Sequence, residues 1–234
     1  NRKNIVYHVR YKNEAVGNDL NDKWKNVKNA SNYAHVLKAI EEQLQVGNKI
    51  GIIYCHSRNE CDELATVLNS LSPLLNFPPS SPYHAGLGHK EREKIQLAWL
   101  NGEELNIIVA TISFGMGVDN PGVRFVFHNT MPKSMESFYQ DSGRAGRNGN
   151  LATSILFYSK QEASKLKFLV QKEISSHLTR TQQFGGFVKQ LQSDMCTKTE
   201  SFDAMMLYCR ENRCKRQMIC EYFGEFISPS SECK

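Results

Sequence analysis

Three short apolar runs, Ile50–Tyr54, Asn106–Thr111 and Val123–His128, alternate with stretches of helical periodicity, and few folds accept that alternation. Apolar runs this short are expected as strands covered on both faces, the situation of a parallel sheet. Thr153–Tyr158 continues the series, and Ile5–Tyr11 alternates apolar with polar residues as a further strand. Between the runs lie helical patterns. Ser31 is placed as an N-cap, after which Tyr33, Val36, Leu37, Ile40 and Leu44 recur at helical spacing until Gly47. Cys61, Leu64, Ala65, Leu68 and Leu71 share one face of a second helix. His89–Asn101 forms another, ended by Gly102, and one more starts near Ser134. Ser72–Pro82, with four prolines in eleven residues, is expected as a loop.

Strands alternating with helices predict an α/β fold with a largely parallel sheet. The pattern changes after Ser159, where helical periodicity runs on without a strand. Two parts follow, an α/β domain over 1–159 and a helical region over 160–234. No stretch approaches the roughly 18 consecutive apolar residues of a membrane span. The chain opens at Asn1-Arg2-Lys3 without an initiator Met or a signal-peptide core, which reads as a fragment of a longer protein. The net charge of +5 is compatible with a polyanionic partner and equally with an ordinary solvated surface. Five of the seven cysteines (Cys196, Cys209, Cys214, Cys220 and Cys233) crowd the last forty residues, a clustering that favours metal binding over a disulfide framework.

The segment with the most chemistry is Gln140-Asp141-Ser142-Gly143-Arg144-Ala145-Gly146-Arg147. On a helix Gln140, Arg144 and Arg147 stand at i, i+4 and i+7 and share a face. Two guanidiniums there suit a polyphosphate clamp, since each matches phosphate oxygens bidentately. A glycine inside a helix costs about 1 kcal/mol relative to alanine, so Gly143 and Gly146 imply a close approach to the backbone. The bland alternative is a solvated basic helix end. Upstream, Ile107–Thr111 runs into Ser113-Phe114-Gly115-Met116-Gly117-Val118-Asp119. Ligands of open α/β sheets bind outside the carboxyl ends of strands, and glycines there let backbone amides face a phosphate. Asp119 is placed to accept from a ribose hydroxyl, to pair with an arginine, or to cap a turn before Asn120-Pro121.

Taken in order, Ile52-Ile53-Tyr54-Cys55-His56-Ser57-Arg58, Tyr83-His84-Ala85-Gly86-Leu87, Val109 through Asp119, and Gln140 through Arg147 resemble the motifs of superfamily 2 helicases. Phe114 through Asp119, then Val123-Arg124-Phe125-Val126 and Met131-Pro132-Lys133-Ser134-Met135-Glu136, resemble the RecQ branch, and its Bloom-type eukaryotic members in particular. The resemblance implies a RecA-like second motor domain followed by a small helical zinc-binding subdomain. It implies that Arg144 and Arg147 are arginine fingers with Gln140 near the nucleotide, and that Gly117 and Asp119 couple nucleotide state to DNA grip. Ser57, Arg58, His84, Thr111, Lys133 and Ser134 fall in segments that resemble DNA-backbone contacts. Cys214 matches the first zinc ligand and Cys233 the second. Cys209 and Cys220 are the substitutes to weigh, although Cys209 is the better candidate for plain packing.

A phosphate loop of the form Gly-x-x-x-x-Gly-Lys-Ser/Thr does not occur in this sequence. In the family that loop and the magnesium-binding acidic box belong to the first motor domain, which is the implied partner that holds ATP and Mg. The further implications are 3′-to-5′ movement on single-stranded DNA and duplex junctions, a nuclear location, and work in DNA repair and recombination. An RNA-directed helicase of the same superfamily and a non-catalytic DNA- or protein-binding module are the competing expectations.

Overall fold

The structure, a computed structural model, describes residues 2–13, 24, 26–102, 104–111, 119–184 and 188–227, without the side chains of 74, 75, 174, 176–184 and 188–196. In chain order the elements are β1 (Ile5–Tyr11), α1 (Ala34–Gln45), β2 (Gly51–Tyr54), α2 (Arg58–Leu75), β3 (Ser80–Tyr83), α3 (His89–Asn101), β4 (Ile107–Ala110), β5 (Phe125–His128), α4 (Met135–Ser142), β6 (Ala152–Tyr158), α5 (Lys160–Phe184), α6 (Val188–Arg210) and α7 (Lys215–Tyr222). They form two compact units. One holds residues 1–130 and 141–157, the other 131–140 and 158–234.

The first unit is built on a six-stranded sheet in the order β1-β6-β5-β2-β4-β3. The pairings β2 with β4, β2 with β5, β3 with β4 and β5 with β6 are all parallel. This is the expected α/β architecture, and every residue of β2, β4 and β5 is buried. Side chains alternate between two cores, as the pleat requires. Ile53, Ile107, Val109, Phe125, Phe127, Ile155 and Phe157 face the apolar stripes of α1 and α2, including Val36, Leu37, Ile40, Leu64, Leu68 and Leu71. Ile52, Tyr54, Ile108, Ala110 and Val126 face the other way, against Trp99 of α3, Leu105, Ala145 and Ala152.

Two local expectations are corrected. The first helix is entered through a 3-10 turn at Ala30–Tyr33, and Ser31 lies inside that turn and does not cap the helix. Its preceding residue Asn29 takes φ 66°, a left-handed conformation that asparagine tolerates. Ser72–Pro82 is not all loop, because α2 continues through Pro73 to Leu75 and Ser80–Tyr83 is strand β3. Pro82 is tolerated there because β3 is the last strand of the sheet, where a missing N–H leaves no ladder bond unmade on the open side. Asn69 fixes the strand's start by donating to the Ser80 carbonyl and accepting from its N–H, both at 2.9 Å.

The helical unit packs Leu166 and Val170 of α5, Phe202, Met205, Tyr208 and Cys209 of α6, and Met218, Ile219 and Cys220 of α7 into its interior. Residues 131–140 cluster with these helices. The Phe138 and Tyr208 rings lie 5.1 Å apart, and Tyr222 donates its hydroxyl proton to Glu136 Oε1 at 2.6 Å. Among the described residues no helix is long and apolar enough to cross a membrane.

Gly51 is opposite Phe125 in the sheet, and a Cβ at Gly51 would overlap the Phe125 ring. Phe125 is fully buried and has no room to move aside. Gly51→Ala is expected to cost about 3 kcal/mol of stability, the upper part of the overpacking range. Urea denaturation should show a lower midpoint with an unchanged slope.

Candidate nucleotide and nucleic-acid site

Parallel pairing sets the ends of four strands level. Tyr54 is in register with Ala110 and His128, and Tyr83 with Ala110. The ladder continues one step further: Cys55 N–H donates to Ala110 O, Thr111 N–H to Tyr83 O, and Asn129 N–H to Tyr54 O. Residues from four distant stretches of sequence therefore gather along one edge. Ser57, Arg58, His84 and Thr111, all expected at a DNA-backbone surface, follow directly on these strand ends.

Ser57 caps α2, its hydroxyl accepting from Glu60 N–H, while Glu60 Oε2 accepts from His56 N–H, a near relative of the reciprocal capping box. Arg58 is exposed. His84 is buried, and its Nδ1 accepts from the Gly86 N–H at 3.2 Å. The ring proton of neutral His84 then sits on Nε2, which donates to Asp62 Oδ1 at 3.0 Å. Both nitrogens are engaged inside the protein. Lys133 and Ser134 belong to the helical unit. Lys133 pairs with Glu173 at 2.7 Å, and Ser134 Oγ accepts from Ser137 N–H as a helix cap does.

The Gln140–Arg147 segment departs from its expected form. Helix α4 stops at Ser142, and residues 143–148 are turns. Gly146 takes φ 59°, the left-handed region that favours glycine, and a Cβ there would sit 2.5 Å from Asn4 Nδ2 and 2.7 Å from Asn150 O. Both glycines therefore lie beyond the helix instead of weakening its interior, and no single helical face carries Gln140, Arg144 and Arg147. Gln140 is exposed on α4 in the helical unit, while Arg144 and Arg147 belong to the sheet unit. Arg144's side chain is only 6% exposed, with Nε 3.6 Å from Asp141 Oδ1. Tyr54 lies in the same cluster, and His128 stacks on its ring at 5.2 Å. Burial first, and the Asp141 carboxylate second, push the Tyr54 hydroxyl above its usual range, with Arg144 pulling the other way.

Arg147 is different: its side chain is 36% exposed and its Nη1 meets Asp119 Oδ1 at 3.0 Å. Asp119 thus pairs with an arginine in this structure. Gly117 lies outside the described residues.

In the helical unit Cys209 and Cys220 are buried free thiols. Burial pushes Cys209 up to about 12, and burial followed by Glu225 raises Cys220. Both thiols are packed in the interior of this unit. Cys214 is held in a disulfide, and Cys233 lies outside the described residues. Among the described residues no three His, Cys, Asp or Glu side chains are grouped to hold a metal, so they do not compose a four-ligand zinc site.

Reading the sequence missed a buried polar chain behind the α2 cap. His35 Nε2 donates to Asn129 Oδ1 at 2.7 Å, and Asn129 Nδ2 donates to Glu60 Oε1 at 2.5 Å. No spacing rule connects residues this far apart, and each alone looks like an ordinary surface polar group.

Residues 32–149 match the family described as the helicase conserved C-terminal domain, and residues 160–234 match that described as RecQ zinc-binding. The rat ATP-dependent DNA helicase Q5 is 37% identical over 226 residues, 96% of this chain and 21% of that protein. The Xenopus laevis RecQ-like DNA helicase BLM is 39% identical over 191 residues, 80% of this chain and 12% of that protein. Among solved structures the Mycobacterium smegmatis helicase Lhr, bound to single-stranded DNA and AMP-PNP, superposes with a TM-score of 0.52 at 22% identity. It covers 72% of this chain and 21% of that one, and supports the fold alone. The sheet unit is thus a helicase C-terminal domain. With the RecQ zinc-binding match behind it, the chain belongs to the RecQ family of DNA helicases.

Burial drives the His35 pKa down to about 4, outweighing the Asn129 bond, which raises it. The folded state thus refuses a proton that the unfolded chain accepts below pH 6.5. Stability from this group is complete above pH 6.5 and is lost as pH falls toward 4, by about 3 kcal/mol in total. Urea titrations at stepped pH should show this loss, and His35→Gln should flatten the profile over that window.

Proposed function

We propose that this chain is the second motor domain of an ATP-dependent DNA helicase, moving 3′ to 5′ and working with a first RecA-like domain that holds ATP and Mg. The observation that carries the reading is the ion pair between Arg147 and Asp119. It joins the two sequence motifs expected to sense nucleotide, and it leaves a guanidinium at the surface paired with an exposed carboxylate. Such an arginine can exchange Asp119 for a phosphate oxygen with little desolvation cost. Arg144 is buried beside Asp141, so its share in the finger role is to hold the turn unless it leaves that cluster.

Arg147 is then the group that meets charge developing on a transferred phosphoryl, and Gln140 is a second group proposed to act on the nucleotide. Gly117 and Asp119 relay the exchange toward the strand ends. There Ser57, Arg58 and Thr111 hold the DNA backbone without reading sequence, through two hydroxyls and a cation. His84 fixes the turn among them, and Lys133 and Ser134 are further proposed DNA-backbone contacts, carried by the helical unit. The relatives are DNA helicases by name, which favours DNA over RNA as the track. The same reading places the intact protein in the nucleus, acting on single-stranded DNA and duplex junctions in repair and recombination. It divides the chain into a motor domain over 1–159 and a zinc-binding subdomain over 160–234, with Cys214 and Cys233 as the first two zinc ligands.

By itself the chain is expected to show no steady ATP hydrolysis above an Arg147→Ala control, and a rate above that control would sink the proposal. In the intact protein Arg147→Ala should lower kcat by about 10³-fold or more, with single-stranded DNA binding retained. For the metal, a reduced chain extended past Lys234 should hold one zinc by emission spectroscopy. Cys214→Ser should bring that content near zero, and an unchanged content would remove Cys214 from the ligand set.

A further inference from the structure

The turn that carries both arginines is held from the other end of the chain. Arg2 Nη1 donates to Gly143 O at 3.2 Å, and Nη2 donates to Ala145 O at 3.0 Å and to Gly146 O at 2.7 Å. Arg2 Nε is directed at Asn4 Oδ1 at 3.4 Å. Asn4 Nδ2 in turn donates to Gly146 O at 2.7 Å and to Asn150 O at 2.8 Å, and Asn4 O accepts from Ala152 N–H. More than 140 residues of sequence separate Arg2 from these carbonyls.

The chemistry is that of a clamp. Turn residues beyond a helix have carbonyls without helical or ladder partners, and such groups need hydrogen-bond donors when they are taken out of water. After Ser142 the carbonyls of Gly143, Ala145 and Gly146 point to one place, and a planar guanidinium satisfies all three at once. A lysine ammonium has no fixed fork with which to do so. The left-handed conformation of Gly146 brings its backbone against Asn4, where a Cβ would collide with the amide. On the opposite side Gly146 N–H donates to Val123 O at 2.9 Å. The backbone that aims Arg147 is thereby fixed between β1 and the start of β5.

We infer that Arg2 and Asn4 are positioning residues for the arginine turn: they set where the Arg147 guanidinium sits without touching the nucleotide. The inference rests on the reading of Arg147 given above. Misplacing a catalytic group by about 1 Å can cost about 10²-fold in rate. Losing the clamp should therefore lower kcat and leave KM for ATP nearly unchanged.

The test is steady-state, DNA-stimulated ATP hydrolysis by the intact protein carrying Arg2→Lys, Arg2→Ala, Asn4→Ala, Arg147→Ala, or Arg2→Ala with Arg147→Ala. Arg2→Lys keeps the charge and loses the fork. It should fold as the parent does and lose kcat by about 10-fold or more, with Arg2→Ala slower still. The double variant should be no slower than Arg147→Ala alone, because both changes remove the same action. If Arg2→Ala does not fold, Arg2→Lys and Asn4→Ala carry the comparison, each scored per folded molecule by circular dichroism. Full kcat in both Arg2→Lys and Asn4→Ala overturns the inference, as do losses that multiply in the double variant. Full kcat in Arg147→Ala overturns the proposed function instead, whatever Arg2 does.

Discussion

Strand β2 has a parallel neighbour on each side and a packed core above and below. Its four residues set the level of β4 and β5, and through β4 the level of β3. A slip of one residue would turn Ile53 toward the α3 core and Tyr54 toward α1 and α2, reversing both faces at once. Because the register is fixed in this way, the segments that leave the strand ends emerge at defined heights. Gly51 is the local expression of the same constraint, since it lets the Phe125 ring lie across the sheet where any side chain would stand in its way.

The functional groups use that frame in two ways. At the carboxyl edge, backbone bonds carry the ladder one residue past β2, β4 and β5 and present Ser57, Arg58, His84 and Thr111 together. Behind them, His35, Asn129 and Glu60 tie α1, the end of β5 and the first turn of α2 through buried hydrogen bonds. A buried polar chain with its donors and acceptors matched gives a unique arrangement, and one lost partner is expensive. In the arginine turn the polar partners are backbone carbonyls. There the requirement is to end a helix and expose Arg147 while Arg144 stays buried.

Much of the fold could be read from the sequence. The apolar runs at Ile52, Ile108 and Val126 and the helical stripe from Cys61 to Leu71 announced a parallel α/β sheet, and the change after Ser159 announced the helices. Expectation failed where local rules compete with tertiary placement. Four prolines forbid an inner strand but allow an edge one, and only the strand order shows that Ser80–Tyr83 is at the edge. Gln140, Arg144 and Arg147 fit a helical face by spacing, yet spacing cannot show that Gly146 adopts a left-handed turn. Arg147 with Asp119 was among the pairings open to a reader of the sequence, whereas Arg2 with Gly143 was not.

What the sequence alone determined is chemical identity and local period. The motif order and the residue types marked a helicase of the RecQ family, and hydrophobic period marked which segments are strands. These are properties of neighbouring residues, and they survive without knowledge of the fold. Only the tertiary structure decided which arginine is exposed, which histidine nitrogen is protonated, and which distant residue holds the turn. Each of those depends on the burial and hydrogen-bond partners supplied by segments far away in the chain, and no local pattern encodes a contact across 140 residues.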